Sequence, residues 1–450
     1  MILLKNLCSK LLLKSINKLS QLNIISLYVI FLILIFISSI FFYNNFILLY
    51  PEIIDDELNI IYKNIPFEYA QVIENLIVNK KYSSIIRLQT GEVEFHLNRL
   101  PIVPFIYFLT NLFSSKLYFL IISKNIIFFS ILFFVLLHFS KQKNYNFLTF
   151  LILNLIFYYN FYNLKIIYNF VYADYIIGVF LPILFIISIS NFKFKYFYIG
   201  TIVLILYLSK VNMFLLCIIL SFYFLIFEKK KLPIFFTLIA IVGWGFFGYV
   251  KTGKFPVGPT ILSTNSQALS ISFNKDFHKF YPLISVDYIK NCDLAVRKKL
   301  KFCKRIPDKI NNEWEYYDFY KNQNKEYFKQ NKNLILKDMI LKIKTIFFNF
   351  YEDSQIYEID KSPEKNFDIF IFINKLVLIT SIIVAFNYMR KKKLNISNIK
   401  TEIIFFIILF SSLPPYLLGW ALNRHLVYLF LISHIYLFLR LKFKQNKIIL

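Results

Sequence analysis

Residues 24–43 read IISLYVIFLILIFISSIFFY, twenty positions without one charged side chain. Such a run has no polar face to offer water, whereas a bilayer core about 30 Å thick is crossed by about 20 apolar residues of helix. No small-residue cleavage site follows it, so it reads as a retained transmembrane helix and not as a secretion signal. Working outward, the same kind of run recurs at 117–138, 147–163, 174–190, 196–209, 211–227, 232–250, 367–388, 402–420 and 424–440. The pair at 196–227 has the shortest halves.

The charges between these runs alternate. Lys5, Lys10, Lys14 and Lys18 precede the first run, and Lys141 and Lys143 follow the second. Lys193 and Lys195 follow the fourth, Lys229 to Lys231 the sixth, Arg390 to Lys393 the eighth, and Arg440, Lys442, Lys444 and Lys447 close the chain. With ten spans, all of these segments fall on one face, as the excess of Lys and Arg in cytoplasmic loops requires. The expected fold is therefore an all-α polytopic membrane protein with about ten transmembrane helices and both termini cytoplasmic. It divides into an N-terminal transmembrane module (1–250) containing a first outer loop (44–116), an extracytoplasmic segment (251–366), and C-terminal transmembrane helices (367–450).

Composition agrees. The chain has 450 residues, is 58% hydrophobic and has a mean hydropathy of +0.56, above the roughly 45–50% apolar fraction of soluble domains. A net charge of +26 would suit nucleic acid, but its segregation between spans argues for membrane topology and against a nucleic-acid partner. There is no G-x-x-x-x-G-K-[ST] and no dinucleotide glycine pattern, so ATP coupling within this chain is not expected. The five histidines (His96, His138, His278, His425 and His434) show no zinc-type pairing on one helix face. No cofactor is expected, with a divalent metal left open.

The outer segments carry structure of their own. Residues 66–81 place Phe67, Ala70, Ile73, Leu76 and Ile77 at helical spacing, which suggests an amphipathic helix along the membrane surface. Arg99-Leu-Pro-Ile-Val-Pro104 then suits a short surface or re-entrant helix, because two prolines oppose a continuous one. Residues 313–350 read as one or two helices returning to the membrane. Cys292 and Cys303, eleven positions apart in an oxidising exterior, are either two free thiols or a disulfide closing a short loop. Such a bridge would stabilise by about 2–3 kcal/mol.

Candidate chemistry lies at the outer face. Asp55, Asp56 and Glu57 repel one another unless solvated or used. A carboxylate there could be a general base or a cation ligand, with Glu68, Glu92 and Glu94 as rivals, or the cluster is simply a solvated loop. Arg99, Lys124, Lys210, Arg424 and His425 supply cations near the same face. Charge at the bilayer is expensive and faces a cavity or a partner; together these groups suit a phosphate, while singly Lys124 and Lys210 suit snorkelling to the interface.

This arrangement resembles the GT-C membrane glycosyltransferases, nearest to the dolichyl-phosphate-mannose–protein mannosyltransferase-like enzymes and the bacterial lipid A aminoarabinose transferases. An acidic first outer loop, an amphipathic helix and Arg99-Leu-Pro-Ile-Val-Pro104 stand where that family has a stretch like Arg-Pro-Pro-x-Tyr-Pro, and Lys124 matches a basic residue of its second span. Trp244, Tyr249, Gly253-Lys-Phe-Pro256 and Ser263-Thr-Asn-Ser266 are similar to its seventh span and exit, although Phe247-Gly248 replaces an Arg-Asn pair. The resemblance implies an inverting transfer of a sugar from a polyprenyl-phosphate donor to a lipid, glycan or protein acceptor at the extracytoplasmic face of a bacterial inner membrane. Asp55, Asp56 or Glu68 would then be the base, and Arg99, Lys124, Lys210, Arg424 and His425 would hold the donor phosphate. The competing expectations are an O-antigen-type polymerase or ligase, and a non-enzymatic carrier of lipid-linked glycan.

Overall fold

The computed structural model describes residues 24–49, 67–88, 91–97, 100–114, 117–143, 147–163, 173–256, 310–351, 367–392, 399–418 and 423–440. The chain is a helical membrane protein. Apolar helices stand at each of the expected runs: α1 (Ile24–Leu49), α4 (Leu117–Lys143), α5 (Phe147–Asn163), α6 (Ala173–Ile189), α7 (Lys195–Tyr207), α8 (Phe214–Phe227), α9 (Leu232–Thr252), α12 (Ile369–Lys391), α13 (Lys400–Leu418) and α14 (Val427–Arg440). Among the described residues, three stretches are long and apolar enough by themselves to cross a membrane: Ile122–Lys143, Leu232–Thr252 and Ile369–Lys391. The others are shorter.

Burial sorts these helices into layers. α6 and α14 are buried on nearly every face and pack against each other, with α7 beside α6 and α12 beside α14. Phe157, Phe161, Tyr175 and Phe185 belong to the buried core they share. α9 and α12 instead expose Phe235, Leu238, Val242, Phe246, Ile383 and Phe386, which in water would be a liability and against lipid is the expected outer surface.

The described part of the segment between α1 and α4 folds as α2 (Phe67–Val78), the strands β1 (Ser84–Leu88) and β2 (Gly91–Phe95), and α3 (Ile102–Asn111). α2 and α3 lie where the surface helices were expected, and α2 buries Val72 and Ile73 while Glu74 stays exposed. The antiparallel hairpin corrects the all-α expectation. Gly91-Glu-Val-Glu-Phe95 alternates, so Val93 and Phe95 point inward and pack on Tyr316 and Tyr320, and Ile86 pairs with Val93 across the ladder. The described part of the segment between α9 and α12 forms α10 (Glu313–Gln330) and α11 (Lys332–Phe348).

The exit of α9 explains its glycines. Gly253 adopts φ +72°, the left-handed conformation that ends helices, and its N–H donates to the Tyr249 carbonyl at 2.8 Å. The chain then folds back along the helix, where a Cβ on Gly245 would strike the Phe255 ring and one on Gly248 the Pro256 ring.

Candidate functional site

The bundle has two ends of different character. One collects the basic segments: the end of α4, the α6–α7 turn, the exit of α8, the start of α13 and the end of α14. The opposite end holds Asp174 in the first turn of α6, Lys210 in the turn between α7 and the short 3-10 helix Val211–Met213, and His425 in the 3-10 helix Asn423–Leu426 that opens α14.

These three residues meet. The Lys210 ammonium is ion-paired to Asp174 Oδ1, and His425 Nε2 stands 3.7 Å from Asp174 Oδ2. The carboxylate also sits where the positive end of the α6 dipole favours it. His425 is held from behind: Tyr416 donates its hydroxyl to the His425 carbonyl at 2.9 Å, and Tyr428 donates to Tyr416 at 3.0 Å. One residue along α6, the Tyr175 ring lies 4.2 Å beneath the Lys124 ammonium. The Tyr175 hydroxyl donates to Asn125 Oδ1 at 2.9 Å, and the Asn125 amide donates to Ser39 of α1 at 3.1 Å. Asp174 is thus met by Lys210 and His425 from two separate stretches of chain, and the neighbouring Tyr175 carries Lys124 over its ring.

The segment around α3 packs onto this end. The Ile102 N–H donates to the Leu208 carbonyl at 3.2 Å, tying the start of α3 to the turn that carries Lys210. Leu97, Leu100 and Trp244 form a buried cluster with Tyr82, Leu208, Val211, Phe247 and Trp314 around them. The proline segment, the Lys210 turn and the Trp244 segment, far apart in sequence, therefore share one contact region.

A second polar cluster joins the hairpin to α10. Glu313 Oε2 accepts from the backbone N–H groups of His96 and Leu97 at 3.2 and 3.0 Å, and His96 Nε2 lies 3.8 Å from Glu94 Oε1. Burial pushes the Glu313 carboxyl up to about 7, against the two backbone hydrogen bonds that favour its charge. Burial also lowers His96, while a Ser83 hydrogen bond lowers Glu94.

Of the expected site residues, Lys210 and His425 are brought together on Asp174, and Lys124 lies over the ring of the adjacent Tyr175. Asp55, Asp56, Arg99, Cys292 and Cys303 lie outside the described residues. Glu68 is in the first turn of α2 and Arg424 precedes His425, but the side chains of both are outside them too. The residue that organises the site, Asp174, was missed by the sequence reading. One signal could have found it: Asp174 is the only carboxylate between Glu94 and Glu228. Among the described residues, no group of three or more His, Cys, Asp or Glu side chains could hold a metal ion. Compared with known proteins, the chain matches no family model, no curated protein and no solved structure.

Proposed function

We propose that the chain is an integral-membrane glycosyltransferase in which all ten apolar helices cross the bilayer, with the Asp174 end extracytoplasmic. It moves a sugar from a polyprenyl-phosphate donor to a lipid, glycan or protein acceptor. The observation that carries this reading is the convergence of Lys210 and His425 on Asp174, with Lys124 alongside, at the end of the bundle opposite the basic segments. A lipid-linked phosphate enters such a site from the side with its tail still in the bilayer.

The step balances simply. A carboxylate (Asp55, Asp56 or Glu68) takes the proton of the acceptor hydroxyl, and the freed oxygen attacks the anomeric carbon. The bond from that carbon to the phosphate oxygen breaks, and its electron pair leaves with the polyprenyl phosphate. Lys210, His425 and Lys124, with Arg99 and Arg424, hold the phosphate as its charge grows. Asp174 keeps the Lys210 ammonium and the His425 ring turned toward that position. The shared contact region of the proline segment, the Lys210 turn and Trp244 supports the same reading, because it gathers the stretches that resemble the GT-C enzymes.

The test is transfer of labelled sugar from polyprenyl-phosphate donors in proteoliposomes, comparing Asp174→Asn, Lys210→Met and His425→Gln with Asp55→Asn, Asp56→Asn and Glu68→Gln. Loss of transfer in the Asp174, Lys210 and His425 variants and in one of the three loop variants is the expected result. Wild-type transfer that survives all six substitutions overturns the assignment.

A further inference from the structure

α11 is inside out. Its buried positions Ile335, Asp338, Lys342, Thr345 and Ile346 fall on one face at helical spacing, and three of those five are polar. Leu336, Ile340, Leu341, Ile343 and Phe348 are exposed. A helix lying on a protein surface in water shows the reverse pattern, apolar inward and polar outward.

The inner polar face makes contacts within α11 and with α12. Lys342 Nζ lies 3.0 Å from Asp338 Oδ2, one turn away. Lys375 of α12 donates to the Thr345 carbonyl at 2.8 Å and to the Asn349 carbonyl, so a cation closes the C-terminus of α11 where the helix dipole is negative.

These contacts also set its depth. α11 packs against α12 and α13, and α12 is one of the helices long and apolar enough to cross a membrane. Lys375 stands six residues past Ile369, about 9 Å along the α12 axis. The last turn of α11 therefore lies against the body of a crossing helix and not above its tip. Ile369, Phe372, Ile373 and Leu376 of α12, against which α11 packs, are exposed as well. Lys337 and Lys344 are exposed among the apolar residues of α11, with stems long enough to carry their ammonium groups to a headgroup layer.

We propose that α11 is seated in the membrane, its outer face against lipid acyl chains and Lys337 and Lys344 at anionic headgroups. The segment 251–366, read from sequence as extracytoplasmic with one or two helices returning to the membrane, then includes a helix embedded in it. This assignment does not rest on the glycosyltransferase reading.

The test is photocrosslinking of the full chain in nanodiscs of phosphatidylethanolamine and phosphatidylglycerol. A benzophenone amino acid is placed at Ile340 or, in a second variant, at Ile343. Leu376 on α12 serves as the lipid-facing reference and Lys325 on α10 as the aqueous one. The expected result is lipid adducts at Ile340 and Ile343, by mass spectrometry, at a yield comparable to Leu376 and several-fold above Lys325. Adduct yields no higher than at Lys325 overturn the proposal by placing α11 in water. Crosslinks to a second polypeptide overturn it by showing that protein covers this face.

Discussion

Both ends of the bundle use carboxylate–cation pairs, but they use them differently. At the basic end Glu228, at the exit of α8, accepts from Tyr196 of α7 at 2.7 Å and pairs with Lys400 of α13 at 2.7 Å. Glu402 of α13 accepts from Tyr436 and from Arg440 Nε of α14 at 2.8 and 2.7 Å, and the Arg440 guanidinium lies 3.9 Å over the Tyr388 ring of α12. Each acid there is matched by a cation from another helix, and the pairs act as ties. At the opposite end one acid, Asp174, answers to Lys210 and His425 while Lys124 rests on an aromatic face nearby. Under the proposed function, Lys210 and His425 at this end are the groups an anionic substrate would meet.

The comparison breaks most directly at Asp174. Asp174→Asn should lower sugar transfer by at least about 100-fold, as loss of a group that preorganises charge does. It should also cost about 3 kcal/mol, because a cation is left facing a neutral amide. Adding Lys210→Met should recover part of the thermal stability and none of the transfer, measured by melting in detergent beside the proteoliposome assay. Glu402→Gln is the counterpart at the basic end. It should cost about 3 kcal/mol by stranding Arg440 while leaving transfer per folded molecule within about twofold; a folded but inactive Glu402→Gln would abolish the distinction between the ends.

The contact between the hairpin and α10 should respond to pH in a defined direction. Burial raises the Glu313 carboxyl from 4.5 to about 7 in the folded chain, with Glu94 and His96 as its charged neighbours. A raised carboxyl holds its proton more tightly when docked, so the Glu313 contribution is full below pH 4.5 and is lost as pH rises to about 7, while the lowered His96 and Glu94 act in the opposite direction as pH falls. The loss amounts to about 3 kcal/mol. Hydrogen exchange of α10, corrected for intrinsic rates, should show this window, and Glu313→Gln should flatten it. The smallest effect is expected at Lys124: Lys124→Met removes a cation–π contact of about 1–2 kcal/mol. It should raise the donor KM about tenfold, with little change in the melting temperature.

How much of this could be read beforehand varied by element. α2, α10 and α11 were expected from helical spacing of apolar and aromatic residues, because a helix face is a local pattern of three- and four-residue steps, and α3 from the proline pair at its start. The hairpin was not expected, since two five-residue strands offer too few alternating positions to outweigh a helical background. Lys210 was open to a snorkelling reading, and only packing shows it paired with Asp174, 36 residues away. α11 shows the limit of periodicity: spacing reveals two faces, but contact with α12 and α13 decides which of them is inside.

The sequence by itself determined that this is a helical membrane protein, where its apolar helices lie, and that its basic segments alternate with them. Those properties follow from short-range hydropathy and charge. Tertiary structure alone decided that Asp174 is the hub of the candidate site and that the polar face of α11 is buried. A lone aspartate in the first turn of an apolar helix looks like ordinary complementation of the helix dipole. Its partners reach it only because three connections, remote along the chain, are folded onto the same end of the bundle.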